Sequence, residues 1–155
     1  MMNNDAINVH QLLGRLFEKP CSASAKKFSK QVYKSSVVYG RFVDDKGDLV
    51  AVVSADAPFV CYTGAAIMML PAAVANDAKG ADELPEELTE AFGEVLNVLS
   101  RLFNTPERPH CRYTTADYGK APEDIKAFIK ASSSRESFGF EVGGYGDGTV
   151  TLFAA

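Results

Sequence analysis

Two segments of the chain repeat one pattern, and this repeat constrains the fold more than any other feature of the sequence. QLLGRLFEKP at 11–20 matches NVLSRLFNTP at 97–106 at five positions: a leucine, an arginine, a Leu-Phe pair and a proline. Two amphipathic helices that end in proline resemble each other by periodicity alone, and short matches can mislead. The match is therefore either a chance similarity of two helices or an internal duplication. If the repeat is a duplication, each half contributes one long helix and a set of strands.

Length and composition predict one globular domain over 1–155. Hydrophobic residues make up 46% of the 155 residues and charged residues 23%, so a sizeable core is expected. The net charge of −4 argues against nucleic acid as a partner. The N-terminal segment has no basic region followed by an apolar core, which predicts a cytoplasmic protein without a signal peptide.

The segment 57–75 carries no charged residue and is nearly long enough to span a bilayer. Pro71 interrupts it and no Lys or Arg cluster flanks it, so a buried helix is favoured over membrane insertion. The cysteines are Cys21, Cys61 and Cys111, an odd and widely spaced set that suits reduced thiols. Too few ligands stand at metal spacing to predict a zinc site.

Periodicity predicts an α/β chain of the α+β type, with an antiparallel-rich sheet and long packed helices. Helices are expected over 7–18, 58–70 and 85–104 and after Pro122, and a Gly/Ala/Asn/Asp-rich loop over 75–82. Strands are expected over 31–43, 48–54 and 110–116, followed by a final hairpin around 138–152.

The predicted helix 85–104 has one apolar face and one polar face. At about 100° per residue, the polar residues fall in a stripe about 80° wide: Glu87, Glu90, Glu94, Asn97 and Arg101. Such a stripe is typical of any solvated helix face. However, Glu90 and Glu94 are like charges at i, i+4, and Asn97 has poor helix propensity, so a functional reading competes with the structural one.

EAFGEVLNVLSRLFN at 90–104 resembles the signature helix of the CheC/CheX chemotaxis phosphatases, whose core is a Glu and an Asn spaced ExxN after a glycine. Here these residues are Gly93, Glu94 and Asn97. The order of helices and strands is similar to that of CheX. The resemblance implies a CheC/CheX-like fold with two pseudo-related halves.

The resemblance also implies an activity, the hydrolysis of aspartyl phosphate on a CheY-like response regulator in chemotaxis or two-component signalling. Asn97 would orient the attacking water, and Glu94 would contact the active-site lysine of the regulator. Glu87, Glu90 and Arg101 would complete the partner-binding surface. Mg²⁺ would be held by the regulator, so this chain would need no cofactor or metal of its own.

The sequence departs from the family pattern at three places. Glu90 stands where Asp or Ser is usual, Arg101-Leu102-Phe103 replaces a small Gly-Asn-Ala stretch, and Pro122 lies just beyond the expected proline position. In the first half, Asn8 and Gln11 occupy the positions of Glu94 and Asn97. Because the acid is missing there, we predict one site per chain.

Three functions stay open at this point: the phosphatase, a non-catalytic module that docks a signalling or flagellar-switch partner, and a stand-alone structural or ligand-binding domain. The bulk of Arg101 and Phe103 favours the second, and the retained Glu–Asn pair favours the first. A homodimer is also predicted, with the uncharged final strand Thr149–Phe153 as its exposed edge.

Overall fold

The computed structural model describes residues 6–17, 19–28 and 34–155. The helices are α1 (Ala6–Phe17), α2 (Ala57–Met68), α3 (Ala72–Lys79), α4 (Glu86–Leu99), which continues as a 3₁₀ turn over Ser100–Leu102, and α5 (Glu123–Ala131). The strands are β1 (Cys21–Lys26), β2 (Ser36–Val43), β3 (Leu49–Asp56), β4 (Arg112–Tyr118), β5 (Ser134–Val142) and β6 (Gly146–Ala154).

The six strands form one antiparallel sheet in the order β1-β5-β6-β3-β2-β4. Exchanging β1, β2 and β3 for β4, β5 and β6 gives the same order in reverse. The sheet therefore has an approximate twofold relation about the β3–β6 pair, and each half runs from a long helix through three strands. The two pseudo-related halves predicted from the repeat are present in the fold.

Helices cover both faces of the sheet. Neighbouring residues of one strand belong to different apolar clusters: Val53 packs in the larger cluster with α1, α2 and α4, and Val52 in the smaller one with α5. Because successive strand residues point to opposite faces, the three longer helices lie on one face and α5 on the other. The main core is thus the layer between the sheet and α1, α2 and α4.

The structure corrects the predicted elements in two places. Much of the segment expected to be a loop at 75–82 belongs to α3, because alanines at 75 and 78 bury one side of a short helix. The connection after Pro20 contains β1, which pairs with β5. The predicted strand start at 31 cannot be compared, since 29–33 lie outside the described residues; β2 begins at Ser36.

The predicted dimer edge is also wrong. The segment Thr149–Phe153 belongs to β6, which lies inside the sheet and pairs with both β3 and β5. The two outer strands are β1 and β4. The sequence could not show this, because hydrophobic alternation in a strand does not reveal how many neighbours the strand has. Homodimerisation itself stays a prediction, with β1 and β4 as the strands available for pairing.

The segment with the longest uncharged run forms the buried helix α2 followed by α3. Residues 59–66 of α2 are all buried, and no helix in the described part of the chain is long and apolar enough to cross a bilayer. Cys61 and Cys111 are buried, Cys21 is half-buried, and all three thiols are free. Burial raises the pKa of Cys61 to about 11, so this thiol stays protonated near neutral pH.

Asp56 is the last residue of β3 and directly precedes α2. Its Oδ1 accepts hydrogen bonds from the backbone N–H groups of Phe59 (2.9 Å) and Thr149 (3.0 Å), so it caps α2 and holds β6. Burial raises its pKa above the ordinary 3.8, although these hydrogen bonds and Lys26 act in the opposite direction. Folding therefore favours the protonated carboxyl.

This raised pKa gives a pH-dependent prediction. The contribution of Asp56 to stability is full below pH 3.8 and is lost as the pH rises through the folded-state pKa. Asp56→Asn keeps an acceptor oxygen but does not titrate. We expect its free energy of unfolding, relative to wild type, to increase between about pH 4 and about pH 7 in urea denaturation. A difference that is flat or decreases over this interval would contradict the assignment.

Candidate functional site: the exposed face of α4

The α4 helix is held on the sheet by one buried face. Leu88, Phe92, Val95, Leu96 and Leu99 are each at most 1% exposed, and burying each such side chain stabilises the fold by about 1.5–3 kcal/mol. Two glycines set how closely the helix sits. A Cβ at Gly64 of α2 would lie 2.8 Å from the Leu88 carbonyl oxygen, and one at Gly40 of β2 would lie 3.0 Å from Leu96. The position of α4 is therefore fixed by its packing, and its opposite face is exposed to solvent.

The predicted site residues lie on that exposed face. Glu87, Glu90, Glu94 and Asn97 are all exposed. Glu94 and Asn97 are three residues apart on a regular helix, so their side chains are neighbours, with Cβ atoms about 5–6 Å apart. Within residues 6–17, 19–28 and 34–155, neither side chain has a hydrogen-bond or ion-pair partner. The Asn97 backbone carbonyl accepts hydrogen bonds from Ser100 Oγ, at 2.6 Å, and from the Ser100 backbone N–H. We call this pair the Glu94–Asn97 pair.

The acidic charge of this face is not neutralised within the part of the chain that the structure describes. The ion pairs found among the described residues join Arg41 to Asp117 and Asp124, and Lys126 to Glu123, all away from α4. Glu86 and Glu87 suit the positive end of the helix dipole. Glu90 and Glu94 lie beyond the first turn and repel each other. The face therefore attracts a cationic group from outside the chain.

Arg101 does not continue this face. The α-helix ends at Leu99, and Arg101 lies in the 3₁₀ turn, whose tighter winding shifts its direction relative to a continued α-helix. It lines a cleft together with residues of α1, and neither Glu94 nor Asn97 contributes to that cleft. The predicted five-residue stripe is thus four residues on α4 with Arg101 apart from them.

The bulky residues after Asn97 do not obstruct the site. Leu102 is 7% exposed and Phe103 is 2% exposed, and the Phe103 ring packs against Phe42 at 5.3 Å between centroids. The inference that the bulk of Phe103 favours a docking surface was wrong, because this side chain belongs to the core. The change from a small Gly-Asn-Ala stretch therefore alters the packing below the helix end.

Gly93 lies beside Glu94, and the described residues give no steric reason for a glycine there. A Cβ built there would meet nothing within 4 Å, and glycine inside a helix costs about 1 kcal/mol relative to alanine. With Asn97 and the Glu90–Glu94 repulsion, this makes three unfavourable choices on one exposed face. Each is explained if another molecule approaches the helix backbone here.

Gly93→Ala tests this interpretation. We expect the variant to raise the free energy of unfolding by about 1 kcal/mol in urea denaturation, because a good helix former enters open space. We also expect it to weaken any partner that docks on the Glu94–Asn97 pair, since the methyl group lies at the contact. Gly14→Ala, at a helical glycine of α1 with only ordinary contacts, is the matched control. Unchanged partner binding by Gly93→Ala would contradict close approach at this position.

Sequence reasoning missed one contact on α4 and one residue near the 3₁₀ turn that follows it. The Tyr118 hydroxyl donates to the Thr89 carbonyl of α4 at 3.4 Å, and burial raises its pKa, so it stays a neutral phenol. No sequence signal places Tyr118 there. Arg15 of α1 lines the same cleft as Arg101, and here the repeat did carry a signal, since it aligns these two arginines.

Metal ligands are not assembled around the site. Across residues 6–17, 19–28 and 34–155, no group of three or more His, Cys, Asp or Glu side chains is arranged to hold a metal ion. The exposed face of α4 carries carboxylates and the neutral amide of Asn97.

No protein-family model matches the chain, and no curated protein matches it either. Solved structures do. FliM from the FliM–SpeE complex of H. pylori superposes with a TM-score of 0.65 at 8% identity, over 96% of this chain and 80% of that one. The FliM middle domain of Vibrio alginolyticus superposes with a TM-score of 0.62 at 14% identity, over 96% of this chain and 86% of that one. Chemotaxis protein CheX of Vibrio vulnificus superposes with a TM-score of 0.53 at 12% identity, over 95% of this chain and 93% of that one.

The architecture places the chain in the α+β class with two pseudo-related halves. More specifically, it has the fold shared by CheX and the FliM middle domain, as the resemblance at α4 implied. At these identities the likeness establishes the fold alone.

Proposed function

We propose that this protein binds a phosphorylated CheY-like response regulator through the exposed face of α4 and accelerates hydrolysis of its aspartyl phosphate. The observation that carries the proposal is the Glu94–Asn97 pair: a carboxylate and an amide that are adjacent, exposed and without a side-chain partner among the described residues, on a helix fixed by a buried face. A rigid presentation of this kind suits a group that must position a reactant.

Hydrolysis of an aspartyl phosphate needs little catalytic assistance from the protein. Water attacks the phosphorus of the aspartyl phosphate, the bond from phosphorus to the aspartyl oxygen breaks, and aspartate and inorganic phosphate are released. Because an acyl phosphate is already reactive, holding the water in line supplies much of the acceleration. The Asn97 amide can accept and donate hydrogen bonds without repelling the anionic phosphoryl group. Mg²⁺ would be held by the regulator and not by this chain.

Glu94 would supply the contact to the partner. In this proposal it pairs with the active-site lysine of the regulator, and Glu87 and Glu90 extend the attraction along the helix. The absence of an internal counter-charge on this face, among the described residues, leaves these carboxylates available for such a contact. The setting is cytoplasmic signalling, either chemotaxis or another two-component circuit.

The first half of the chain is expected to lack a second site. Asn8 and Gln11 of α1 occupy the positions that the repeat aligns with Glu94 and Asn97. Without a carboxylate, α1 cannot pair with a lysine in the same way. We therefore propose one regulator per chain.

The test is phosphate release from a panel of phosphorylated CheY-like regulators of the same genome, with and without the protein. We expect faster release with wild type, a return to the regulator's own rate with Asn97→Ala, and weaker binding with Glu94→Ala. Glu141→Ala, which removes an exposed glutamate of β5, serves as the matched control. Phosphate release at the same rate with wild type and Asn97→Ala would refute the catalytic role of the amide.

A second candidate is a non-catalytic docking module. It is favoured by one observation, namely that the chain superposes better on the two FliM structures than on CheX. In that case wild type and Asn97→Ala bind a signalling or flagellar-switch partner equally well and neither accelerates hydrolysis. Binding titrations with unphosphorylated and phosphate-mimic-loaded regulators separate the two functions.

A further inference from the structure

A cleft of about 390 Å³ lies between α1 and the end of α4. Asn8, Gln11, Leu12 and Arg15 line it from one face of α1, at i, i+3, i+4 and i+7 spacing. The opposite wall is formed by the 3₁₀ turn and the loop that follows, including Arg101 and Thr105. This volume is within the range of small-molecule sites, about 300–1,000 Å³.

The cleft is positively charged and lined mostly by polar groups. Arg15 and Arg101 line it, and none of the described lining residues is acidic. Both arginines are exposed, and neither has a hydrogen-bond or ion-pair partner among the described residues. The Thr105 hydroxyl oxygen is buried and likewise lacks a hydrogen-bond partner in the part of the chain that the structure describes.

The repeat explains why two arginines meet here. Arg15 and Arg101 occupy equivalent positions of the two halves, and the sheet order shows that the halves are related by an approximate twofold. Equivalent residues near such an axis face one another across it. Gln11 also lines the cleft, although its equivalent in the second half, Asn97, does not. At the position of Glu94 the first half carries the neutral amide of Asn8, so α1 adds no carboxylate to the cleft.

We propose that this cleft is a binding site for a phosphate group of a small phosphorylated molecule, held between Arg15 and Arg101. Two guanidinium groups match a phosphate monoester, which carries about −1.5 to −2 charges at neutral pH, better than they match a single carboxylate. Guanidinium forks bind phosphate oxygens in pairs, and the Gln11 amide and Thr105 hydroxyl add neutral donors. The cleft is distinct from the Glu94–Asn97 pair, so the proposal stands independently of phosphatase activity.

The test uses the full chain and inorganic phosphate as the probe. Amide resonances are followed by NMR while phosphate is added at constant ionic strength, with chloride as the comparison anion. We expect saturable shifts at Gln11, Arg15, Arg101 and Thr105. The double variant Arg15→Gln/Arg101→Gln is expected to weaken phosphate binding at least about tenfold. Arg112→Gln/Lys120→Gln removes the same charge from exposed positions outside the cleft and is expected to leave binding unchanged.

Each outcome decides the proposal. Saturable shifts that depend on the two arginines, and that phenyl phosphate reproduces, support it. Equal shifts with chloride, or equal weakening by the control variant, overturn it in favour of general charge screening. Binding of a polyglutamate peptide but not of phosphate overturns it in favour of an acidic protein partner. The single variants Arg15→Gln and Arg101→Gln provide the same test if the double variant does not fold.

Discussion

Phe92→Ala is expected to lower the free energy of unfolding by about 3–5 kcal/mol, the cost of removing a fully buried aromatic side chain. Phe92 is 0% exposed and lies on the buried face of α4. Its ring meets Phe59 edge-on at 5.9 Å between centroids, Phe59 meets Phe140 at 6.1 Å, and Phe140 meets Phe17 at 6.0 Å. This row of four rings joins α4, α2, β5 and α1, so the loss reaches both halves of the fold.

The effect is measured by urea denaturation followed by circular dichroism. Phe128→Ala is the matched control, because Phe128 is only partly buried and packs in the smaller cluster beside α5. We expect it to cost clearly less. At temperatures where Phe92→Ala remains folded, its Glu94–Asn97 pair is chemically unchanged, so partner binding should be retained. A loss below about 1 kcal/mol would mean that α4 is not seated in the core as described.

Gly64→Val is expected to cost about 3 kcal/mol, the upper part of the usual range for overpacking. The Cβ of any other residue at position 64 would lie 2.8 Å from the Leu88 carbonyl oxygen. The atom it meets is backbone and cannot rotate away, so α2 and α4 must separate. Separation would move the whole exposed face of α4 relative to the sheet, and we expect weaker partner binding as well as lower stability.

Alanine substitutions at Gly64 and Gly14 test this prediction, because their expected effects on stability have opposite signs. Gly64→Ala should destabilise, because the clash outweighs the better helix propensity of alanine. Gly14→Ala in α1, where a Cβ would meet only the His10 ring at 3.6 Å, should stabilise by up to about 1 kcal/mol. Thermal or urea denaturation of both variants is sufficient. Stabilisation by both substitutions would show that α2 and α4 do not cross as closely as the structure places them.

Much of the local structure followed from the sequence. The periodicity of Leu88, Phe92 and Val95 predicted a helix with one buried face, and that face is buried. Asp56 and Pro58 predicted the start of α2, and Asp56 caps that helix. The alternation after Ser134 predicted the final hairpin, which spans β5 and β6. These features succeed because helix and strand periods are set by neighbouring residues.

Predictions failed where the structure of a segment depends on packing or pairing with residues distant in the sequence. The short α3 was taken as a loop, since its alanines indicate a helix only when α2 supplies a surface to pack against. The strand at Thr149–Phe153 was taken as an edge, although β3 and β5 flank it. Arg41 carried no signal at all, yet its guanidinium joins β2 to Asp117 of β4 at 2.7 Å and to Asp124 of α5 at 2.5 and 2.9 Å.

The sequence by itself determined the content of the candidate site: a helix whose free face carries Glu94 and Asn97 at neighbouring positions, because helical geometry is local. It also aligned Arg15 with Arg101 through the repeat. Only the tertiary structure decided that Gly40 and Gly64 let α4 sit close to β2 and α2, that Phe103 turns into the core, and that the two arginines share one cleft. Those outcomes depend on which surfaces meet across the approximate twofold, and periodicity along the chain carries no information about that meeting.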